Sequence, residues 1–264
     1  MDFQLIFLGG VVILFLAVLG WYVLKNVSLA HYYVAHLYNK FVPDVDIAKL
    51  SKEPRIVELQ KFLFENSAAL RREIIEIYLE NKCVQMEELD EVHKKLMHES
   101  KFIGGWKTIW LRFIDENLEI VKESSFKTRF PICAEMFKLH GDKFFNCFIS
   151  VLLPGAGIPE HIGPLKSVVK MHFPVQIPAS QNLAPEKQNA TLNIRDWNIT
   201  YAWTHNHYLI FDDTKVHSVQ NNWDKERIVL IFDIYRDLFL AKFLTRFAKF
   251  GAGYAHTLNK LNKT

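Results

Sequence analysis

Two histidines in the second half of the chain have the surroundings expected of metal ligands. His161 comes shortly after the turn-forming run Pro-Gly-Ala-Gly-Ile-Pro, and His217 comes after Phe-Asp-Asp-Thr. Each is therefore expected at the end of a β-strand or in the loop beside one. Neutral imidazoles suit iron(II), and sites of this metal class use few protein ligands and keep coordination positions open. We expect both histidines to face one cavity and to bind the same metal ion.

Cationic residues near these histidines are suited to holding an anionic co-substrate. Residues two apart on a strand point to the same face, so Lys170 and His172 should project together, as should Arg227 and Asp233. An unpaired charge inside a barrel is costly. A bound anion would provide the missing partner. The sequence therefore predicts an anion site beside the two histidines.

The elements that must position these side chains are predicted to be short strands. Apolar and β-branched runs alternate with Pro and Gly turns, which is typical of an antiparallel sandwich or barrel. The polar stretch 179–189 is expected to form a loop at the mouth of a pocket. The predicted strands are Asn146–Leu152, Ser167–Phe173, Thr191–Ile194, Tyr208–Phe211 and Ile228–Ile234.

The region before the strands has helical spacing. Residues 47–97 carry apolar side chains at intervals of three and four, as amphipathic helices do. Beyond Ser100, paired glycines and large aromatic residues replace this spacing, so we place a domain boundary there. The helices are expected either to pack against the β-rich domain or to connect it to a membrane.

The N-terminal run from Phe3 to Leu24 is apolar, with Gln4 as its one polar side chain. A membrane-spanning helix needs ~20 apolar residues, so this run predicts a transmembrane anchor. A cleaved secretory signal is disfavoured because the chain starts with Asp2 instead of a basic cluster. Lys25 and other basic residues follow the run, so the positive-inside bias places the remaining chain in the cytosol.

The C-terminal stretch 238–264 combines apolar and cationic residues at helical spacing. A basic amphipathic helix of this kind can lie on an anionic membrane surface. The alternative is a helix packed on the barrel. The pattern does not distinguish between these two interpretations.

Composition and isolated motifs exclude several other functions. The 32 basic and 29 acidic residues leave a net charge of +3, which gives no basis for a nucleic-acid partner. His205 and His207 lack the basic groove of a nuclease. Three cysteines without a Cys-x-x-Cys pair argue against a disulfide framework and against a thiolate zinc site. They are Cys83, Cys133 and Cys147.

Several short motifs in one order carry a family resemblance. They are Gly105-Trp106-Lys107, Ser150, Pro154-Gly155, His161-Ile-Gly-Pro164, Lys170-Met-His172, Phe211-Asp-Asp-Thr214, His217 and Arg227. With this order and spacing, about residues 102–236 resemble the aspartyl/asparaginyl β-hydroxylases. These are iron(II)- and 2-oxoglutarate-dependent oxygenases, and the family includes bacterial lipid A acyl-chain hydroxylases. The resemblance implies a double-stranded β-helix, a jelly-roll or cupin-like fold.

The resemblance also implies roles for individual residues. His161 and His217 would bind iron(II), Arg227 and Ser150 would hold the distal carboxylate of 2-oxoglutarate, and His172 would help hold its metal-chelating end. Lys170 stands where the family usually has Arg, and an ammonium cannot form the bidentate fork of a guanidinium.

Gly163 stands where many oxygenases of this type carry an acidic ligand. We expect a water molecule to replace that carboxylate. Glu160, Asp212 and Asp213 are not expected to bind the metal. The two aspartates are expected to support the His217 loop through hydrogen bonds instead.

These features together predict four regions and one activity. The regions are a transmembrane anchor (1–25), a helical juxtamembrane region (26–100), a double-stranded β-helix oxygenase domain (101–237) and a basic amphipathic helix (238–264). The expected activity is that of a membrane-anchored, cytosol-facing hydroxylase that uses iron(II), 2-oxoglutarate and dioxygen. The favoured substrate is a lipid or lipid-linked acyl chain. The alternatives are a peptidyl Asp or Asn side chain, and a catalytically silent membrane-bound module, motivated by Gly163 and Lys170.

Overall fold

The computed structural model describes residues 39–85, 105–113, 115–163, 165–178, 190–205 and 207–238. The predicted transmembrane run, the loop 179–189 and nearly all of the C-terminal stretch lie outside these residues. In the described part of the chain, no helix is long and apolar enough to cross a bilayer.

The described chain begins with helices, continues with a mixed segment and ends in strands. The helices are α1 (Ile47–Leu50), α2 (Pro54–Glu65), α3 (Ser67–Glu80), α4 (Glu119–Lys122), α5 (Phe126–Arg129) and α6 (Pro131–His140). The strands are β1 (Val84–Gln85), β2 (Trp106–Phe113), β3 (Glu116–Asn117), β4 (Phe144–Leu152), β5 (Gly157–His161), β6 (Val168–Gln176), β7 (Ala190–Ile194), β8 (Ile199–Ala202), β9 (Leu209–Phe211), β10 (His217–Asn221) and β11 (Arg227–Tyr235).

The strands form two antiparallel sheets whose order identifies a jelly roll. The larger sheet has the order β1-β2-β4-β11-β6-β9, with β3 on β2, and the smaller has the order β5-β10-β7-β8. From β4 to β11 the chain alternates between the sheets, except that β7 and β8 are neighbours in one. Eight strands wound in this way make the double-sheet jelly roll of cupins. The predicted double-stranded β-helix is confirmed.

All five predicted strands are present, although their ends differ by up to three residues. The prediction missed β2, β5, β8 and β10, which are short or interrupted by Pro, Gly or polar residues. It was wrong at Val84 and Gln85, which were assigned to a helix. They form the edge strand β1 beside β2, because pairing with a neighbouring strand overrides local helical spacing.

Side chains on the central strands alternate between two cores. On β11, Ile228, Leu230, Phe232 and Ile234 belong to a core under the helices. Val229, Ile231 and Tyr235 belong to a second core between the sheets. The predicted alternation on this strand is confirmed, and every residue of β11 is buried because both of its faces are covered.

The helices cover the outer face of the larger sheet. Leu59, Leu63 and Ile74 have no exposed surface and pack in the same core as residues of β4, β6 and β11. Glu73, also buried, accepts hydrogen bonds from the backbone N–H groups of Ile132 and Cys133 at 3.0 and 2.7 Å. Its carboxylate therefore satisfies free donors at the start of α6. The helical segment and the barrel share one core.

Candidate active site

The two predicted metal ligands lie side by side. His161 ends β5, His217 begins β10, and the two residues are cross-strand partners. Their ring centroids are 4.1 Å apart, with an angle of 51° between the ring planes. Strand pairing thus brings together residues that are far apart in the sequence.

Each imidazole is oriented by its own strand end. Nδ1 of His161 lies 2.8 Å from the carbonyl oxygen of Pro159, and Nδ1 of His217 lies 2.8 Å from that of Lys215. Since a carbonyl can only accept, each Nδ1 carries the proton and each Nε2 keeps its lone pair for a metal. Burial, helped by the neighbouring His217, lowers the pKa of His161 to about 4. His161 is therefore neutral at physiological pH.

An aspartate fills the space beside Gly163. A Cβ atom at Gly163 would lie only 1.7 Å from Oδ2 of Asp213. The Asp213 backbone carbonyl also accepts a hydrogen bond from the Gly163 N–H at 2.6 Å. The carboxylate missing from position 163 is thus replaced in space by one from the loop before His217. The water molecule expected at the corresponding metal-ligand position stays a prediction.

The two aspartates of this loop have different roles. Asp212 Oδ1 accepts hydrogen bonds from the backbone N–H and the hydroxyl of Thr214 at 3.0 and 2.7 Å. That is the turn-supporting role we predicted. Asp213 Oδ1 is buried without a hydrogen bond and lies 3.3 Å from Nε2 of His217.

These groups fit a divalent metal ion. Two ligands of one ion, each bonded at ~2.1 Å and at right angles, lie ~3 Å apart, close to the separation of Asp213 Oδ1 and His217 Nε2. Among the described residues, no three or more His, Cys, Asp or Glu side chains form a complete metal site. The arrangement is therefore two imidazole donors with one carboxylate at their edge.

Lys170 lies beside Asp213 at the candidate metal site, and two carboxylates of the protein neutralise its charge. Its Nζ lies 2.7 Å from Oδ1 of Asp233 and 3.5 Å from Oδ2 of Asp213. Asn146 donates to the other oxygen of Asp233 at 2.6 Å. Burial disfavours the ammonium, but the two carboxylates outweigh it and raise the pKa of Lys170. The anionic partner that the sequence analysis assigned to a ligand is supplied here by aspartates.

Arg227 lies deeper in the barrel and has the opposite environment. It is 1% exposed, and its Nε has no hydrogen-bond partner. Its guanidinium carbon lies 5.0 Å from the ring centroid of Trp203. Within the described ranges, no carboxylate is ion-paired with it. Burial alone lowers the pKa of Arg227 to about 9, so the side chain is still charged at neutral pH.

His172 and Ser150, the other residues predicted to contact 2-oxoglutarate, lie on strands paired with β11. His172 stands one strand over from Ile231, and Ser150 from Val229. Nε2 of His172 is buried without a partner. The Ser150 hydroxyl accepts a hydrogen bond from the Trp106 indole N–H at 3.0 Å. Burial, then the charge of Arg227, lower the pKa of His172 well below its usual value.

Trp203 is a site residue that no sequence pattern predicted. Its ring is nearly parallel to that of His172, with an interplanar angle of 11°, and it also contacts Arg227. Trp203 therefore fixes both proposed co-substrate contacts. It follows the short strand β8, and no motif distinguishes it in the sequence. Asp233 was predicted to share a strand face with Arg227, but its pairing with Lys170 depends on the register of β6 on β11.

The fold and the paired imidazoles define a jelly-roll protein with a candidate metal site. The chain belongs to the Aspartyl/Asparaginyl beta-hydroxylase family, whose sequence model matches residues 65–237. The match begins within α2, so it includes α3 as well as the barrel.

The relatives include a lipid hydroxylase and proteins named for an aspartate beta-hydroxylase domain. The chain is 29% identical over 133 residues to an ornithine lipid ester-linked acyl 2-hydroxylase of Rhizobium tropici, covering 50% of this chain and 42% of that one. It is 24% identical over 178 residues to aspartate beta-hydroxylase domain-containing protein 2 of Xenopus tropicalis, covering 61% and 44%. The chain thus spans less than half the length of these relatives.

Solved structures that resemble the chain include cupin domains at low similarity. The cupin domain of Schizosaccharomyces pombe Cnp3 has a TM-score of 0.31 and 10% identity, covering 52% of this chain and 70% of that one. A cupin domain of Bordetella pertussis has a TM-score of 0.26 and 15% identity, covering 34% and 81%.

Proposed function

We propose that the protein is a membrane-anchored iron(II)- and 2-oxoglutarate-dependent hydroxylase that acts on a lipid or lipid-linked acyl chain. The observation that carries this proposal is Arg227, a buried guanidinium that forms no ion pair with any described residue, in a barrel whose other end holds two imidazoles. A buried cation of this kind is costly unless a ligand pairs with it. A dicarboxylate can satisfy Arg227 with one end and reach the metal with the other.

Each residue of the cavity has a specific task in this proposal. His161 and His217 would hold iron(II) through Nε2, and Asp213 would provide negative charge beside it. Arg227 and Ser150 would bind the distal carboxylate of 2-oxoglutarate, and His172 would donate from Nε2 to its other end. With iron and 2-oxoglutarate bound, the site supplies the oxidant that inserts one dioxygen oxygen atom into a C–H bond, while 2-oxoglutarate becomes succinate and carbon dioxide.

The protein contributes geometry and a dry environment. The Nδ1 hydrogen bonds of both histidines fix the ring orientations. Trp203 holds His172 and Arg227 in position. Apolar side chains of the inner core exclude water from the space around them.

Charge balance favours an uncharged substrate. Lys170 offsets one of the two carboxylates Asp213 and Asp233, and both imidazoles are neutral in this scheme. Once iron(II), Arg227 and the 2-oxoglutarate dianion are included, the positive and negative charges of the cavity are equal. An aspartyl side chain would add an unpaired negative charge at low dielectric, whereas an acyl chain or an asparaginyl side chain adds none, so charge balance disfavours the aspartyl substrate alone. The lipid substrate of the Rhizobium relative points to the same class.

The first test separates an enzyme from a silent binding module. Purified protein would be titrated with iron(II) without oxygen, then given 2-oxoglutarate and air, and succinate release would be measured. We expect one metal ion per chain, and His161→Gln and His217→Gln should each abolish binding. The exposed His207 offers a matched control, His207→Gln, which should bind normally. Absence of both metal binding and turnover in the unaltered protein would leave the silent module as the explanation.

A second test identifies the substrate. Lipids and peptides from cells with and without the protein would be compared by mass spectrometry for the gain of one oxygen atom. The proposal predicts the gain on lipid acyl chains. A gain confined to Asp or Asn side chains of peptides would support the peptidyl alternative instead. A protease-protection experiment should find the barrel on the cytosolic side.

A further inference from the structure

One end of the barrel carries the two histidines, and we call it the metal-site rim. It consists of the strand ends around the histidines and the loops that join them. Strand β5 ends at His161 and β10 begins at His217, which are partners across the smaller sheet. In the larger sheet the start of β6 pairs with the end of β11 at Val168 and Tyr235. Lys170 pairs with Phe211, the last residue of β9. Loops 162–167 and 212–216 and residues 236–238 therefore share this rim.

The first described residues of the chain are attached to the metal-site rim. Asn39 accepts a hydrogen bond from the backbone N–H of Lys166 through its side-chain oxygen, at 2.9 Å. Asp44 forms ion pairs with Lys166 at 2.7 Å and with Lys215 at 3.2 Å. Lys166 lies five residues after His161, and Lys215 lies two before His217. Segment 39–46 therefore contacts both loops that carry the metal-binding histidines.

The last described residues lie on the same rim. The Arg236 backbone N–H donates to the Ser167 carbonyl at 3.0 Å. Its guanidinium donates to the carbonyl oxygens of Lys166 at 2.8 Å and Pro43 at 3.0 Å. Arg236 thus joins the beginning and the end of the described chain to one loop. The described chain therefore begins and ends at the metal-site rim.

The sequence segments on either side of the described chain have the composition of membrane-binding sequences. Residues 3–24 are almost entirely apolar. Residues 239–264 contain Lys242, Arg246, Lys249, Lys260 and Lys263 and no acidic residue. Lys242 lies four positions after Leu238, so the basic stretch follows the described chain directly in the sequence. Basic residues interleaved with Phe and Leu bind the surface of an anionic bilayer.

The described rim itself exposes a large apolar side chain. Phe41 is 79% exposed, between the exposed Lys40 and the buried Val42. An aromatic ring beside a lysine is typical of a membrane-interface contact. Asp44, three positions after Phe41, forms ion pairs with Lys166 and Lys215. Its negative charge is therefore balanced within the rim.

We propose that the metal-site rim faces an anionic lipid bilayer, with Phe41 inserted at its surface. In combination with the proposed function, on which this part of the inference rests, an acyl chain then enters the cavity directly from the membrane and reaches the histidines without crossing water. The orientation of the barrel, and not only its attachment, would select the substrate.

The opposite end of the barrel provides an internal control. There, Tyr78 of α3 donates to Glu226, the residue before β11, at 2.9 Å. Arg71 of the same helix donates to the carbonyl oxygen of Pro174 near the end of β6 at 3.1 Å. Leu79 is 75% exposed beside this end, which matches the exposure of Phe41. If the rim faces the bilayer, Leu79 faces water.

The experiment reads the orientation directly. In the full chain carrying Cys83→Ser, single cysteines would be introduced by Phe41→Cys or by Leu79→Cys and labelled with an environment-sensitive fluorophore. Cys133 and Cys147 are buried, which protects them from the label. Each protein would be reconstituted in phosphatidylcholine vesicles with and without phosphatidylglycerol. Quenching by brominated lipid and by aqueous iodide would be measured, and circular dichroism would verify folding. Lys40→Cys serves as a second rim position.

We expect labels at positions 41 and 40 to be quenched by brominated lipid and to lose iodide quenching, more strongly with phosphatidylglycerol. The label at position 79 should show the reverse. Equal behaviour at positions 41 and 79 would overturn the proposed orientation. Protection from iodide at position 41 without lipid quenching would overturn it too, since a second protein chain would then cover the rim. No catalytic turnover is needed, so failure of the hydroxylase proposal would be seen separately.

Discussion

Lys170 and Arg227 are two cations of the barrel whose electrostatic environments are opposite. Lys170 lies at the rim beside the histidines, where Asp213 and Asp233 neutralise it. Arg227 lies at the deep end, stacked on Trp203 and without a carboxylate among the described residues. One cation is internally compensated, and the other carries an unmatched charge. The difference identifies Arg227 as the cation whose charge a bound anion would balance.

The largest effect is expected from removing the compensated cation. Lys170→Met leaves Asp213 and Asp233 buried without their partner, and breaking a buried pair costs about 3–5 kcal/mol. Urea denaturation of the metal-free protein should show this loss in the free energy of unfolding. Lys170→Arg keeps the charge and should retain most of the stability. Equal stability of Lys170→Met and the unaltered protein would contradict the ion pairing of Lys170 with Asp213 and Asp233.

Two histidines of the barrel, His161 and His172, predict a pH effect on stability of nearly the same size. The pKa of His161 falls to about 4, and that of His172 is also lowered, chiefly by burial. The unfolded chain binds a proton at each histidine near pH 6.5, and the folded chain does not until the pH is much lower. The unfolded state therefore binds more protons in this window, and stability falls as the pH is lowered from about 6.5 to about 4.

For His161 alone the loss should reach about 3 kcal/mol. Denaturation of the metal-free protein at several pH values measures it, and His161→Gln should remove that share while His207→Gln should not. A free energy of unfolding that stays constant over this window would contradict the buried, neutral state of these histidines.

Removing the uncompensated cation should act in the opposite direction to Lys170→Met. Arg227→Met replaces a buried, unpaired charge with an apolar side chain, so the metal-free protein should become more stable by about 1–4 kcal/mol. Thermal unfolding measures the gain. A loss of stability as large as that of Lys170→Met would show that Arg227 has a partner inside the protein.

The smallest effect concerns the carboxylate beside Gly163. Gly163→Ala would place a Cβ atom against Asp213, and such overpacking costs about 1–3 kcal/mol. The combined change with Asp213→Ala should recover part of this loss in a double-mutant cycle. Gly141→Ala is the matched control, because the nearest atom to its new Cβ would be 4.0 Å away and its φ is −59°. Additive effects of the two changes at 163 and 213 would mean that these residues do not share the space.

Strand alternation explains why part of this site could be predicted from the sequence. The shared face of Lys170 and His172, and that of Arg227 and Asp233, follow from a period of two. The jelly roll itself was implied by the order of the family motifs. The apolar spacing around Val84 predicted a helix, and this prediction was wrong because pairing with β2 determines the conformation of Val84.

The remainder of the site depends on contacts between distant segments. Gly163 and Asp213 are 50 positions apart in the sequence, so no local pattern shows that one fills the space beside the other. Trp203 contacts His172 and Arg227 from a third segment. The pairing of Lys170 could be deduced only from the register of β6 on β11. These contacts form by packing between segments that are distant in the sequence, so local sequence patterns could not predict them.

We propose above that Arg227 binds one carboxylate of 2-oxoglutarate while the other end of the ligand reaches the metal. The most direct test of this proposal is anaerobic calorimetry of 2-oxoglutarate binding. The iron(II)-loaded unaltered protein would be compared with the iron(II)-loaded variants Lys170→Arg and Arg227→Met. The account predicts one 2-oxoglutarate per chain, little change in Lys170→Arg, and binding weaker on the order of 100-fold in Arg227→Met. Failure of the unaltered protein to bind 2-oxoglutarate, or equally tight binding by Arg227→Met, would contradict it.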